Sequence, residues 1–165
     1  MNKNFFSLLL FLTTLSLNIN SSLAQMPEGS FWIKQYEDQK DDCIRKKDYR
    51  CAIEALMKII QMQPRSIDNY TKLGVVNYYL GNYQEAIGLF KRTIELSGFS
   101  DAAYDNEDLG NTYMFLGITY HTLGKEKEAK EELNNALKYF EKEAELDDII
   151  YINVLLKEIN KNTKE

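Results

Sequence analysis

Between residues 70 and 94 the apolar and polar positions recur with a helical period. Tyr70, Leu73 and Asn77 share one face, and beyond "LGNY" (80–83) Ala86, Leu89, Phe90 and Ile94 recur at spacings of three and four. The pattern predicts two amphipathic helices turned at Gly81, a helical hairpin. A near-copy follows: "LGVVNYYLGNYQEA" at 73–86 matches "LGITYHTLGKEKEA" at 116–129, with every identical pair 43 residues apart. Earlier in the chain the spacing is different. Tyr36 and Tyr70, Tyr49 and Tyr83, Ala52 and Ala86, and Leu56 and Phe90 are each 34 residues apart. The unit length is therefore 34, and the larger spacing comes from nine extra residues, "DAAYDNEDL" at 101–109. Three units result, 33–66, 67–100 and 110–143.

Small residues have a packing role in this reading. Gly74 opposite Ala86, and Gly117 opposite Ala129, would let the two helices of a hairpin approach closely. Pro64 ends the first unit, and Ser66 is placed to cap the next helix. One hairpin cannot bury its apolar face alone, so neighbours must stack. The pattern resembles the tetratricopeptide repeat, carried by Tyr70, Leu73, Gly74, Ala86 and Phe90 in the second unit and by Tyr113, Leu116, Gly117, Tyr120, Ala129, Leu133 and Ala136 in the third. The first unit is degenerate, with Gln39 and Lys40 where Leu-Gly is expected. Polar residues there suit a terminal repeat whose outer face meets water. The resemblance implies an all-α chain, a right-handed α-solenoid of three hairpins, with 144–165 as a closing helix and tail.

The first 24 residues stand outside that scheme. Lys3, the apolar run Phe5 to Leu17, and Ser22 with Ala24 have the three-part layout of a secretory signal peptide, with cleavage after Ala24 and a short lead at 25–32. The 13-residue run is too short to span about 30 Å of hydrocarbon as a helix, so no stable membrane insertion is expected after cleavage. The expected location is exported, either periplasmic or secreted. In such a compartment Cys43 and Cys51, the only two cysteines, would tend to form a disulfide; the competing reading is two small buried side chains.

Charge narrows the partners. The chain carries −5 at neutral pH, and loss of Lys3 with the leader makes it −6, with basic residues scattered among acids as in "RKKDYR". Nucleic acid is disfavoured, because phosphate binding needs a basic patch. Catalysis has little to build on. His121 is the single histidine, "GITYHTLGK" has six residues between glycines where a phosphate loop needs four, and no zinc-protease motif occurs. Neither a cofactor nor a metal is expected. Asp101, Asp105, Glu107 and Asp108 make the insert acidic, but without the residue order of a helix-loop-helix calcium site. A solvated loop opening into a longer helix is the simpler reading. Asn69-Tyr70-Thr71 matches a glycosylation acceptor by chance, since Tyr70 falls in the core pattern.

In tetratricopeptide arrays the first helix of each hairpin lines a concave groove that grips a peptide or partner helix. The resemblance places Lys34, Glu37, Asp41, Ile44 and Arg45 there, then Asp68, Thr71, Val75, Tyr78 and Tyr79, then Asn111, Met114, Ile118, His121 and Thr122. The competing reading is that some of these pack on the closing helix. A clamp for acidic chaperone tails is not expected, because Glu37 and Asp41 stand where such clamps carry Lys and Asn. In "DDIIYINVLLKEINKN" the stripe Ile149, Ile152, Leu156 and Ile159 is joined by Ile150, Tyr151, Val154 and Leu155, a wider apolar arc than a surface helix needs. The excess either packs within the chain or meets another protein or a second copy. The expected function is an exported protein-interaction scaffold with a protein or peptide partner, the alternative being a self-associating subunit, a homodimer formed through this helix.

Overall fold

A computed structural model describes residues 28–98, 106–143 and 145–162, and among them every regular element is a helix. These are α1 (Glu28–Arg45), α2 (Tyr49–Met62), α3 (Ile67–Tyr79), α4 (Tyr83–Ser97), α5 (Asn106–Thr122), α6 (Glu126–Glu143) and α7 (Leu146–Asn162). The leader at 1–24 and the insert's Asp101 and Asp105 lie outside the described residues. α1 already begins within the expected lead, and α5 begins at Asn106 within the expected insert, placing Glu107 and Asp108 in a helical first turn where the macrodipole favours acids.

Consecutive helices pair as hairpins, α1 with α2, α3 with α4 and α5 with α6, and each hairpin packs on the next, forming an α-solenoid on which α7 packs last, against α6. The three turns are one structure repeated. Lys47, Gly81 and Gly124 all take left-handed backbone angles, φ 56°, 79° and 70°. In each case the next residue's N–H reaches back five residues, Asp48 to Cys43, Asn82 to Asn77 and Lys125 to Tyr120, all at 2.9 Å. Asp48 caps α2 by accepting from the Cys51 N–H at 3.2 Å. Ser66 stands at the N-cap of α3, but its hydroxyl accepts from the Asn69 side chain at 2.7 Å instead of from the helix backbone. That leaves Asn69 buried, so the sequence-matched glycosylation acceptor is closed in the folded chain.

Gly74 and Gly117 are points of close approach: a Cβ at Gly117 would lie 3.1 Å from the carbonyl oxygen of the expected Ala129, whereas the atoms nearest Gly74 belong to Phe90. Ala86 and Ala129 are fully buried; a Cβ at Gly74 would lie 2.5 Å from Phe90 Cε1, and one at Gly117 would lie 2.8 Å from Leu133 Cγ. Helical side chains lean toward the N-terminus, so Phe90 covers the turn that carries Ala86. Gly110 repeats the contact two turns along, 2.9 Å from the Phe140 ring.

Lys40, which occupies the Gly74 position in the first unit, does not face water. It is only 5% exposed and reaches Asp41 at 3.3 Å. In the first unit Leu56 stands at the position of Phe90, and a side chain like that of Lys40 can cover apolar surface with its aliphatic stem. The fully buried core runs from Ala52 and Leu56 through Phe90 to Leu116, Leu133, Phe140, Ile152 and Ile159.

Candidate functional site

The expected groove positions separate into three groups. On α1, Lys34, Asp41 and Arg45 are exposed and engaged in ion pairs, Lys34 with Asp38 at 3.8 Å and Arg45 with Asp42 at 3.2 Å, while Glu37 is half-buried. The Asp42 carboxyl is held below its usual range, chiefly by its hydrogen bond from Lys46. These charges form a solvated face.

Two expected contact residues belong to the core instead. Thr71 is 7% exposed, and its hydroxyl meets Thr112 of α5 at 2.8 Å and its own Ile67 carbonyl at 3.2 Å. Met114 is 8% exposed, within the same buried cluster as Ile152 and Ile159 of α7. Neither can touch a ligand without rearrangement. The reason is stacking: α3 and α5 pack directly on each other, and α7 closes the last hairpin, so positions aimed at the next helix are covered.

Of the remaining positions, Tyr78 and Tyr79 belong to an aromatic cluster. Tyr79 of α3 is 56% exposed, stacks on Tyr49 at the start of α2 (5.4 Å between centroids, planes 11° apart) and touches Tyr78 edge-on at 5.5 Å. Tyr78 continues to Tyr83 at 5.7 Å and to Phe115 at 6.2 Å, and Phe115 stacks on buried Phe90. The exposed ring is thus the end of a chain of rings rooted in the core. Beside it opens a cleft of about 430 Å³ lined by Ile44, Lys47, Tyr49, Lys72, Val75, Val76 and Tyr79. Lys72 is held by Asp68 at 2.6 Å, while Lys47 stands exposed at the turn. The cleft is apolar and aromatic with two ammonium groups, suited to an apolar side chain beside an acidic one.

Tyr49, Lys47 and Lys72 were not among the expected contacts. Tyr49 lies on a second helix and Lys47 in a turn, whereas the family pattern points to first helices. Tyr49 and Tyr83, 34 apart, were visible as a repeat identity but said nothing about Tyr79. Val75 and Ile118 pack partly on the core. His121 bonds Glu126 through Nδ1 at 2.8 Å, joining the end of α5 to the start of α6, and Thr122 bonds the Ile118 carbonyl at 2.9 Å. The imidazole braces a turn. Among the described residues no group of three or more His, Cys, Asp or Glu is placed to hold a metal ion, and no described helix is long and apolar enough to cross a membrane.

A second cluster joins α4, α5 and α6. Lys91 lies 5.9 Å above the Tyr120 ring, and its pKa is raised mainly by a hydrogen bond with Tyr120. Glu132, half-buried nearby, has its pKa raised by burial, against the hydrogen bond from Asn135 at 3.2 Å. Cys43 and Cys51 are joined as a disulfide across the first turn, their Cα atoms 5.8 Å apart.

The expected self-association stripe is not available. Ile152 and Ile159 are fully buried, and Ile149 and Leu156 pack partly on the same core. The other face of α7 is the exposed one, with Leu146, Ile150, Tyr151 and Val154 in solvent.

A family model of the tetratricopeptide repeat matches residues 65–142. Comparison with curated proteins gives no match. Solved structures give many. The TPR2B domain of yeast Sti1, in a complex with pHsp70, aligns with TM-score 0.69 at 16% identity over 80% of this chain and 98% of that one. The type III secretion translocator chaperone SycD of Yersinia enterocolitica aligns with TM-score 0.72 at 14% identity, over 88% and 93% of the two chains. The first tetratricopeptide domain of Spaghetti, bound to an Hsp90 peptide, aligns with TM-score 0.65 at 15% identity, over 81% and 94%. At such identities the likeness is one of fold.

Proposed function

Because the chain is a tetratricopeptide-repeat protein, we propose that it works as a non-catalytic protein-interaction scaffold, gripping a peptide or partner helix along the face formed by α1, α3 and α5. The observation carrying this reading is Tyr79, more than half exposed yet braced by Tyr49 and Tyr78 beside an apolar cleft. A rigid ring loses little entropy when it is covered, so it contributes more to affinity than a mobile side chain of equal area. The partner segment would place an apolar side chain against Val75 and Tyr79 and a carboxylate near Lys47 and Lys72. Support from relatives is indirect: two of the similar folds were solved with chaperone-derived partners.

The proposed location is outside the cytoplasm, supported by the signal-peptide layout of residues 1–24 and by a cysteine pair suited to an oxidising compartment. The reading is tested by selecting peptides from a displayed random library on the chain, on Tyr79→Ala and on Lys72→Glu. Enrichment of apolar-acidic sequences that is lost on Tyr79→Ala and on Lys72→Glu is expected. Equal enrichment on all three proteins would rule out the cleft. N-terminal sequencing of the expressed protein, expected to begin at Gln25, tests export.

A further inference from the structure

The exposed face of α7 carries an ordered pattern. At 100° per residue, Ile152 and Ile159 point into the core, and Asp147, Ile150, Val154, Lys157 and Lys161 fall on the opposite side. Their spacings alternate three, four, three, four, the repeat of a coiled-coil seam. The middle of the seam is apolar, flanked by Leu146 and Tyr151, which are also exposed. Its ends are charged with opposite sign. Asp147 and Lys157 are exposed and make no ion pair among the described residues.

We propose that this face docks a second copy of the same chain, α7 against α7 in antiparallel register about a two-fold axis. In that register Ile150 of one copy meets Val154 of the other, and Asp147 meets Lys157, each pair formed twice by symmetry. A parallel pairing would set Asp147 against Asp147 and Lys157 against Lys157, so the charge order selects the antiparallel one. The four exposed apolar side chains offer roughly 400 Å² per copy, the size of a monomer's largest and frequently functional patch. Two such patches make an interface at the small end of specific contacts, and the association is reversible, with a dissociation constant on the order of micromolar. The cleft beside Tyr79 takes no part in this contact, so the dimer stands or falls independently of the peptide reading.

Sedimentation velocity of the full chain across a dilution series tests it. The expected result is a shift from monomer to dimer with concentration. Ile150→Asp with Val154→Asp should abolish the dimer and leave the helical circular dichroism unchanged, since both side chains are exposed. Asp147→Lys alone should weaken the dimer about tenfold, equal to about 1.4 kcal/mol, and adding Lys157→Asp should restore it. A monomer at every concentration would overturn the proposal, leaving the face to a different protein. A dimer that ignores the α7 variants, or that fails to recover in the charge swap, would overturn it equally.

Discussion

Adding one methyl group to α3 and one to α4 should have opposite effects. Gly74→Ala places a Cβ 2.5 Å from Phe90 Cε1, 2.8 Å from Cδ1 and 3.0 Å from Cζ. Phe90 is fully buried and stacks on Phe115, so its ring has no free direction in which to retreat. Overpacking of this kind costs about 1–3 kcal/mol, and a contact this short falls in the upper half of that range. The gain in helix propensity from Gly to Ala is about 1 kcal/mol, leaving a net loss of about 1–2 kcal/mol by difference. Gly88→Ala in α4 meets nothing within 4 Å and keeps the propensity gain, so it should stabilise by about 0.5–1 kcal/mol. Thermal unfolding followed by circular dichroism reads both. Gly74→Ala should lower the midpoint and Gly88→Ala should raise it, each by a few degrees. Because the chain of rings runs from Phe90 through Phe115 and Tyr78 to Tyr79, Gly74→Ala should also weaken peptide capture, while Gly88→Ala should not. Midpoints that move in the same direction would show that the Gly74–Phe90 contact does not set the spacing of α3 and α4.

Three further outcomes are expected. Lys47 holds a left-handed angle that glycine holds in the other two hairpins, so Lys47→Gly should stabilise by up to about 1 kcal/mol, the strain relieved less the entropy of the unfolded glycine; a lowered urea midpoint would show the lysine unstrained. Reducing the Cys43–Cys51 bond, whose partners are 8 residues apart, should cost roughly 2–3 kcal/mol on the loop-entropy model, read as a lower midpoint in reductant, with Cys51→Ala giving the same value with and without it. Glu132, its pKa raised by burial, binds a proton more readily folded than unfolded, so its contribution favours the native state as pH falls from neutral and is lost as pH rises through the folded value. Glu132→Gln should therefore flatten the dependence of the melting temperature between neutral pH and the ordinary glutamate range, and an unaltered slope would remove Glu132 as its source.

Much of the fold was legible in one dimension. Four pairs of residues 34 apart set the unit, and the copies of Leu-Gly and Glu-Ala located the turns, because helix period and turn chemistry are local properties. The wide apolar arc of α7 is also written in that period. Sequence marks an arc as apolar, but it does not say which side of the arc another helix will cover.

That choice came from the tertiary structure. Thr71 and Met114 carry groove positions by register yet lie buried, because α5 packs over one and the last hairpin with α7 encloses the other. Lys40 looked like a solvent-facing terminal residue and is enclosed, at the position that Gly74 occupies in the second unit. Tyr49 joined Tyr79 from a helix that the repeat pattern did not implicate. Periodicity along a helix defines an angle about its own axis, and what lies at that angle depends on how neighbouring hairpins are rotated. The repeat, its turns and its apolar faces were determined by the sequence alone; the cleft, the covered threonine and the free face of α7 exist only once the hairpins are stacked.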